Sequence, residues 1–391
     1  MKSVKDITVE GKRVFVRVDY NLPMDDQGRI TDDNRIRQTL DLIRYLIEKQ
    51  AKIILASHLG RPKGGYEKRL SLAPVADHLS GLLEKEVAFA SDCIGPDVSD
   101  QVAALKNGDI LLLENLRFHK QEKANDDAFA RQLAGLCDVY VNNAFAVSHR
   151  DQASVTGIVA HVPEAAAGFL LEREMNAFAD AFESPERPLV AVIGGAKVSG
   201  KLAALENLLN TVDQMIIGGA MANTFLFSQG IDTKASLIEA DLKDTAQRIL
   251  KKAQEKNIDV YLPEDLVVAD AFAETARTQT VALDAVPDGW MVMDIGPQTA
   301  ERFNQVIAKA KTIVWNGPMG VFEMPPFMAG TCSVAKGIAR AGAFSVVGGG
   351  DTGLAARECG VTDQVSYVST GGGAFLHLME GKPLPGVRAL G

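Results

Sequence analysis

The chain has 391 residues, is 47% hydrophobic and 23% charged, and carries a formal net charge of −9. This length exceeds what one hydrophobic core usually supports, so two globular domains are expected. A net negative charge with no long basic run to offset it argues against nucleic acid or an anionic membrane as partner.

No apolar run approaches about 18 residues, and the opening MKSVKDITVEGKRVFVRVDYN lacks the apolar stretch of a signal peptide, so a cytoplasmic protein is expected. Cys93, Cys137, Cys332 and Cys359 are far apart and show no C-x-x-C spacing. Reduced, mostly buried thiols are therefore expected.

In chain order, the first strand-like run is VFVRVDYN at 14–21, which ends in Asp19 and Asn21 with Arg17 inside it as a possible ion-pair partner of Asp19. Ile36, Leu40, Ile43 and Ile47 then step by four, three and four, the spacing of a helix with one apolar face, and Arg35 stands at its start. KIILASHLGR at 52–61 predicts a buried strand running into His58 and Arg61. ILLLENLR at 110–117 ends in Arg117, and VYVNNAFAVSHR at 139–150 ends in Arg150. Alone, His58 reads as a structural histidine. The convergence of five arginines on strand ends and a helix start makes it a candidate ligand for a small, multiply anionic molecule.

Leu171, Met175, Phe178 and Phe182 continue the helical spacing across 164–188, and Pro185 and Pro188 stop it before the next strand. Beyond that point the strands end in glycine instead of charge: LVAVIGG at 189–195, QMIIGG at 214–219, TIVWNGP at 312–318, FSVVGGGDTG at 344–353 and YVSTGGG at 367–373. Bare backbone at strand-to-helix turns suits nucleotide phosphates. Strands alternating with helices predict an α/β protein of two doubly wound, parallel-sheet, Rossmann-like domains joined by a helix and hinge. The expected divisions are 1–165, a linking helix at 166–184, a second domain at 185–372, and a terminal segment at 373–391 returning to the junction.

GGAKVSGKL at 194–202 approaches a P-loop but has Leu202 where Ser or Thr would hold Mg²⁺, which disfavours a P-loop NTPase. Lys197 and Lys201, four apart at an expected helix start, can point the same way. Gly348, Gly350 and Gly353 match a dinucleotide fingerprint, yet Ser369 and Thr370 stand where a ribose-binding acid is required. Asp351 lies inside that loop, where a carboxylate beside phosphates implies an intervening cation.

Taken together, RVDYNLP (17–23), SHLGRPKG (57–64), ENLRFH (114–119), SHRDQAS (148–154), GGAKVSGK (194–201), DIGP (294–297), TIVWNGPMGVFE (312–323), GGGDT (348–352) and STGGGA (369–374) resemble the phosphoglycerate kinase family along nearly the whole chain. The resemblance implies 3-phosphoglycerate on the first domain, Mg-ATP or Mg-ADP on the second, and hinge bending in a monomeric phosphotransferase. By motif position, Asp19, Asn21, Arg35, His58, Leu59, Gly60, Arg61, Arg117 and Arg150 would hold phosphoglycerate. Lys197, Lys201 and Arg35 would act on the transferring group. Lys201, Glu323, Gly349, Gly350, Asp351 and Thr352 would bind nucleotide, with Asp351 serving Mg²⁺.

Three positions depart from the family pattern. Asn143 replaces an acid expected beside Arg150, Val292 replaces a glycine near the adenine and narrows the base pocket, and Ala220 replaces a third glycine. The rival reading is a non-enzymatic, two-lobed anion-binding protein, which leaves GGAKVSGK and GGGDT together unexplained.

Overall fold

A computed structural model describes all 391 residues. The chain divides into two compact units, residues 1–175 with 383–391 and residues 176–382. The division falls inside the helix Phe169–Phe182. Two expected boundaries shift. Residues 166 and 167 belong to a strand of the first sheet, and the helix Gly372–Met379 belongs to the second unit, so only 383–391 return to the first.

The first unit is built on six strands: β1 Arg13–Arg17, β2 Lys52–Ala56, β3 Ala88–Phe89, β4 Ile110–Leu112, β5 Val139–Asn142 and β6 Glu164–Ala167. They pair in parallel in the order β3-β4-β2-β1-β5-β6. From β1 the chain winds outward through β2, then crosses back to β5 and β6. The order therefore reverses between β1 and β5, where a crevice opens beyond the strand ends. Arg17 pairs in register with Asn142 at that point.

The expected helix carrying Ile36, Leu40, Ile43 and Ile47 is two helices, Asn34–Arg37 and Leu40–Glu48. The break lies at Gln38 and Thr39, where the Thr39 hydroxyl donates to the Ile36 carbonyl at 2.7 Å and also meets the Tyr20 hydroxyl at 2.8 Å. A threonine that bonds back into the preceding turn offers the backbone an alternative to a continuous helix. The stripe nonetheless works as expected: Ile36, Leu40 and Ile43 pack with Val14, Val16, Ile53 and Leu55 in the core. Burying each such side chain contributes about 1.5–3 kcal/mol.

The second unit repeats the plan with β7 Leu189–Ile193, β8 Gln214–Ile217, β9 Asp259–Tyr261, β13 Thr312–Asn316, β14 Phe344–Val347 and β15 Tyr367–Val368. All pairs are parallel, in the order β15-β14-β13-β7-β8-β9, so its reversal lies between β7 and β13. Every residue of β7 and β13 is buried, which is why these segments read as unbroken apolar runs. A smaller antiparallel sheet is also present: β10 Asp265–Ala269, β11 Thr278–Ala282 and β12 Met291–Ile295, in the order β11-β10-β12.

The cysteine expectation requires correction. Cys93 and Cys137 are buried thiols, but Cys332 and Cys359 form a disulfide across a sequence separation of 27. Cys332 lies in the helix Ala329–Arg340 between β13 and β14, and Cys359 caps the helix Gly350–Glu358 between β14 and β15. Both crossovers pass over the same face of the sheet and share one apolar cluster, and this tertiary proximity leaves no mark in residue spacing. Closing a loop of this length restricts the unfolded chain by about 3–4 kcal/mol in the chain-entropy treatment. Replacing both Cys332 and Cys359 by serine therefore lowers unfolding stability by that amount. Urea titration checks this, and an unchanged midpoint with unchanged slope would contradict it.

Candidate functional site

In the first unit, the predicted anion-binding residues converge at the reversal between β1 and β5. Arg17 is fully buried at the end of β1. Its expected partner is Asp19, but its Nε donates to the Ser154 hydroxyl at 2.8 Å, one NH1 bond goes to the Val18 carbonyl, and its NH2 meets His58 Nδ1 at 3.3 Å. Ser154 in turn donates to buried Glu122 at 2.6 Å. The balancing carboxylate for Arg17 is thus Glu122, one hydroxyl away. Sequence reasoning missed Glu122, which sits on the four-residue helix Lys120–Lys123 and reads locally as a solvated charge.

Asp19 instead takes Arg35, whose NH1 donates to its Oδ2 at 2.6 Å, and lies 3.7 Å from His58 Nδ1. A guanidinium can only donate, so the contact with Arg17 makes His58 Nδ1 the acceptor and leaves the proton on Nε2. Burial first, and then Arg17, Arg117, Arg150 and Arg35, hold the His58 pKa well below its ordinary value. His58 is neutral, with Nε2–H as its donor.

The loop after β2 is tied down from both sides. The Gly60 N–H donates to Asn21 Oδ1 at 2.7 Å, and the Gly60 carbonyl accepts from Arg117 NH1 at 2.8 Å. Asn115 clamps Leu59 through both its N–H and its carbonyl. Leu59 is buried, so its part is to hold the loop. Burial first, then Arg150 and Arg17, lower the Arg117 pKa to about 10, and Arg117 Nε is buried without a partner. Burial also lowers the Arg150 pKa, and Arg17, Arg61 and Arg35 add to the effect. Arg61 is exposed. The cluster thus gathers mutually repelling guanidiniums, one of them with an orphaned N–H, around a neutral imidazole, with only Asp19 and the buried Glu122 as nearby carboxylates. Such a surplus fits a ligand with several negative charges.

Asn143 does not stand in for an acid beside Arg150. Its Oδ1 accepts from the Leu170 N–H at 2.9 Å, at the start of the helix Phe169–Phe182, and its Nδ2 is buried without a partner. Its position serves that helix start.

In the second unit, the reversal between β7 and β13 is closed by backbone packing. A Cβ on Gly194 would lie 2.1 Å from the Pro318 carbonyl, so no larger residue fits. The Gly194 and Gly195 N–H groups donate to the Asn316 and Pro318 carbonyls, each at 3.0 Å. These amides hold strands together and are not free for an anion, contrary to expectation. N–H groups without an intrahelical partner come instead from the first turns of the helices Gly350–Glu358 and Gly372–Met379. The two helix starts adjoin: a Cβ on Gly372 would lie 3.1 Å from the Gly350 nitrogen. Two such ends make a strong anion locus.

Lys201 sits at the same reversal, its Nζ donating to the Gly194 carbonyl at 2.7 Å and the Asn316 carbonyl at 2.8 Å. Burial lowers its pKa to about 8, with Asp351 acting in the opposite direction. Lys197 and Lys201 do not share a helix face, because the helix begins only at Leu202. Lys197 is exposed. Thr352 is buried, and its hydroxyl accepts from the Gly317 N–H at 2.7 Å, fixing the GGGDT turn to the end of β13.

A cavity of about 510 Å³ opens alongside, lined mainly by apolar groups with Asp351 and Glu323 among its charged members. Gly349, Gly350 and Thr352 lie beyond its lining, and Val292 forms part of the wall. Asp294 also lines it. Burial raises the Asp294 pKa to about 7, against the N–H bonds it accepts from Gly330 and Ile295. Its place in DIGP is visible in sequence, but its burial is not.

The family model for phosphoglycerate kinase matches residues 4–382. Phosphoglycerate kinase of Desulforapulum autotrophicum is 62% identical over 390 residues, covering 100% of both chains. That of Desulfotalea psychrophila is 56% identical over the same length and coverage. Among solved structures, phosphoglycerate kinase from Coxiella burnetii superposes with a TM-score of 0.91 at 46% identity, covering 99% of this chain and 98% of its own. The Pyrococcus horikoshii enzyme gives 0.86 at 35% identity, with 100% and 98% covered.

Proposed function

This chain belongs to the phosphoglycerate kinase family, and from that premise we propose that it catalyses the reversible transfer of a phosphoryl group from ATP to the carboxylate of 3-phosphoglycerate, giving ADP and 1,3-bisphosphoglycerate. The observation that carries this reading is the surplus of guanidiniums around neutral His58, which calls for a small polyanion. Arg17, Arg35, Arg61, Arg117 and Arg150 supply charge. His58 Nε2–H, Asn21 and the Gly60 loop supply orientation. The enzyme acts as a cytoplasmic monomer on small-molecule substrates, without nucleic acid or membrane. No helix is long and apolar enough to cross a membrane.

The acceptor carboxylate is ionised at neutral pH, so a general base is unnecessary. One of its oxygens forms a bond to the terminal phosphorus as the bond to the bridging oxygen breaks and ADP departs. The protein's work is to align two anions in line and stabilise charge on the transferring group. Arg35 does this from the acceptor side, and Lys201 with Lys197 from the nucleotide side. The nucleotide base fits the apolar cavity, with Glu323 placed for the ribose and the paired helix starts for the phosphates. Asp351, exposed in the first turn of its helix at the cavity, fits a magnesium ion held by one carboxylate and phosphate oxygens. Magnesium supplies charge neutralisation across the phosphates when bound. A coupled assay with 3-phosphoglycerate and ATP tests the whole reading, and binding of both ligands without turnover would favour the non-enzymatic alternative.

The buried ammonium of Lys201 gives a pH signature. Its free-protein pKa is about 8, and a phosphate placed beside it raises that value. Nucleotide binding above pH 8 therefore takes up a proton, and affinity falls with rising pH, by up to about tenfold per unit. Calorimetry in buffers of different ionisation enthalpy measures the uptake. Lys201→Met flattens the profile; a wild-type profile already flat from pH 7 to 10 would remove Lys201 from the phosphate site.

A further inference from the structure

Outside both sites, the edge of the first sheet brings together three side chains with three different donor atoms. Asp92 and Cys93 come shortly after β3, while His119 comes just after the short turn Leu116–Phe118 beyond β4, and β3 pairs with β4. Adjacent strand ends therefore carry the three to one place. A carboxylate oxygen of Asp92, the Cys93 sulfur and a ring nitrogen of His119 all lie within 4.8 Å of one another.

The group is held in position by its surroundings. The Asp92 carbonyl accepts from the Glu114 N–H at 3.3 Å, and Asp92 Oδ1 accepts from the Cys93 N–H at 2.7 Å. His119 Nε2 lies 2.6 Å from Asp92 Oδ1, and its ring packs against Phe129 at 5.3 Å between centroids. Accessibility is graded across the group: Cys93 is fully buried, His119 is a quarter exposed and Asp92 is half exposed. The sulfur thus lies deepest and the carboxylate nearest to solvent.

We propose that Asp92, Cys93 and His119 form a binding site for a divalent transition metal of borderline softness, of which zinc is the natural example. Sulfur, imidazole nitrogen and carboxylate oxygen are the three ligand types zinc accepts, and a fourth, tetrahedral position falls to water on the open side. Hard cations that prefer all-oxygen shells are disfavoured by the same donors. On binding, the Cys93 thiol releases its proton to solvent and ligates as thiolate, and His119 ligates as the neutral ring. Neither Arg117 nor the nucleotide cavity contributes a ligand.

The test is a titration of the oxidised protein with Co²⁺ in the absence of reductant, which keeps Cys332 and Cys359 paired. One equivalent should produce a thiolate-to-cobalt charge-transfer band that Zn²⁺ displaces. The band should persist in Cys137→Ser and vanish in Cys93→Ser. Because Cys93 lies in the core, His119→Gln serves as the second variant: its partly exposed position allows folding, and apparent Zn²⁺ affinity, read by competition with Co²⁺, should fall by at least about tenfold. Absence of the band in the wild-type protein overturns the proposal. So does a band with unchanged affinity in His119→Gln or unchanged intensity in Cys93→Ser.

Discussion

Arg35→Lys lowers turnover by about 10²- to 10³-fold while the dissociation constant for 3-phosphoglycerate changes only a few-fold. Lysine preserves the charge, so attraction of the polyanion to the cluster survives. What it loses is the planar fork. One arm of the Arg35 guanidinium is fixed by Asp19 at 2.6 Å, which sets the plane and leaves the remaining N–H groups preorganised. An ammonium bound to Asp19 keeps no such second edge, and the missing donor is felt mainly where charge develops. Stopped-flow turnover and equilibrium binding on one preparation separate the two effects. A loss of affinity larger than the loss of turnover would make Arg35 a ground-state anchor and shift the transition-state role to Lys201 and Lys197.

Asp351→Ala is expected to remove magnesium-dependent turnover by two orders of magnitude or more, at about 1.4 kcal/mol per factor of ten, and to leave 3-phosphoglycerate binding nearly unchanged. Asp351 stands in the first turn of the helix Gly350–Glu358 and lines the cavity of the second unit, whereas the arginine cluster belongs wholly to the first. Calorimetry with each ligand decides the point. Equal weakening toward both substrates would show that the carboxylate's role is to support the fold.

The parts of this structure that are legible in the sequence share a cause. Parallel strands buried on both faces are written as unbroken apolar runs, and the residues just past each run are those the strand presents at its carboxyl end. Hence Asp19, His58 and Arg117 can be found from strand endings, while Arg150 lies farther on, beyond the turn Phe145–Val147 that follows β5. Two kinds of feature stay hidden. Glu122 and Asp294 look like ordinary charged residues along the chain, and only tertiary contact buries one behind Ser154 and raises the pKa of the other. The Cys332–Cys359 bond joins two crossover helices whose proximity depends on strand order, which spacing does not encode. The glycine-ended strands do mark a tight backbone constraint, but not every one of them offers amides to a ligand, since Gly194 and Gly195 already use theirs to bind neighbouring strand ends.

The return of residues 383–391 to the first unit has a consequence during synthesis. The Gly386 N–H donates to the Ser148 carbonyl at 2.8 Å, and Gly386 lies against Asn142 and Val155, in the segment that leads to Arg150 and onward to Ser154. That segment emerges from the ribosome more than two hundred residues before its partner does. The second unit, contiguous from 176 to 382, can complete its core first. The unit translated earliest is thus the later of the two to be finished, and its arginine-rich crevice gains its final support only once residues 383–391 have been made.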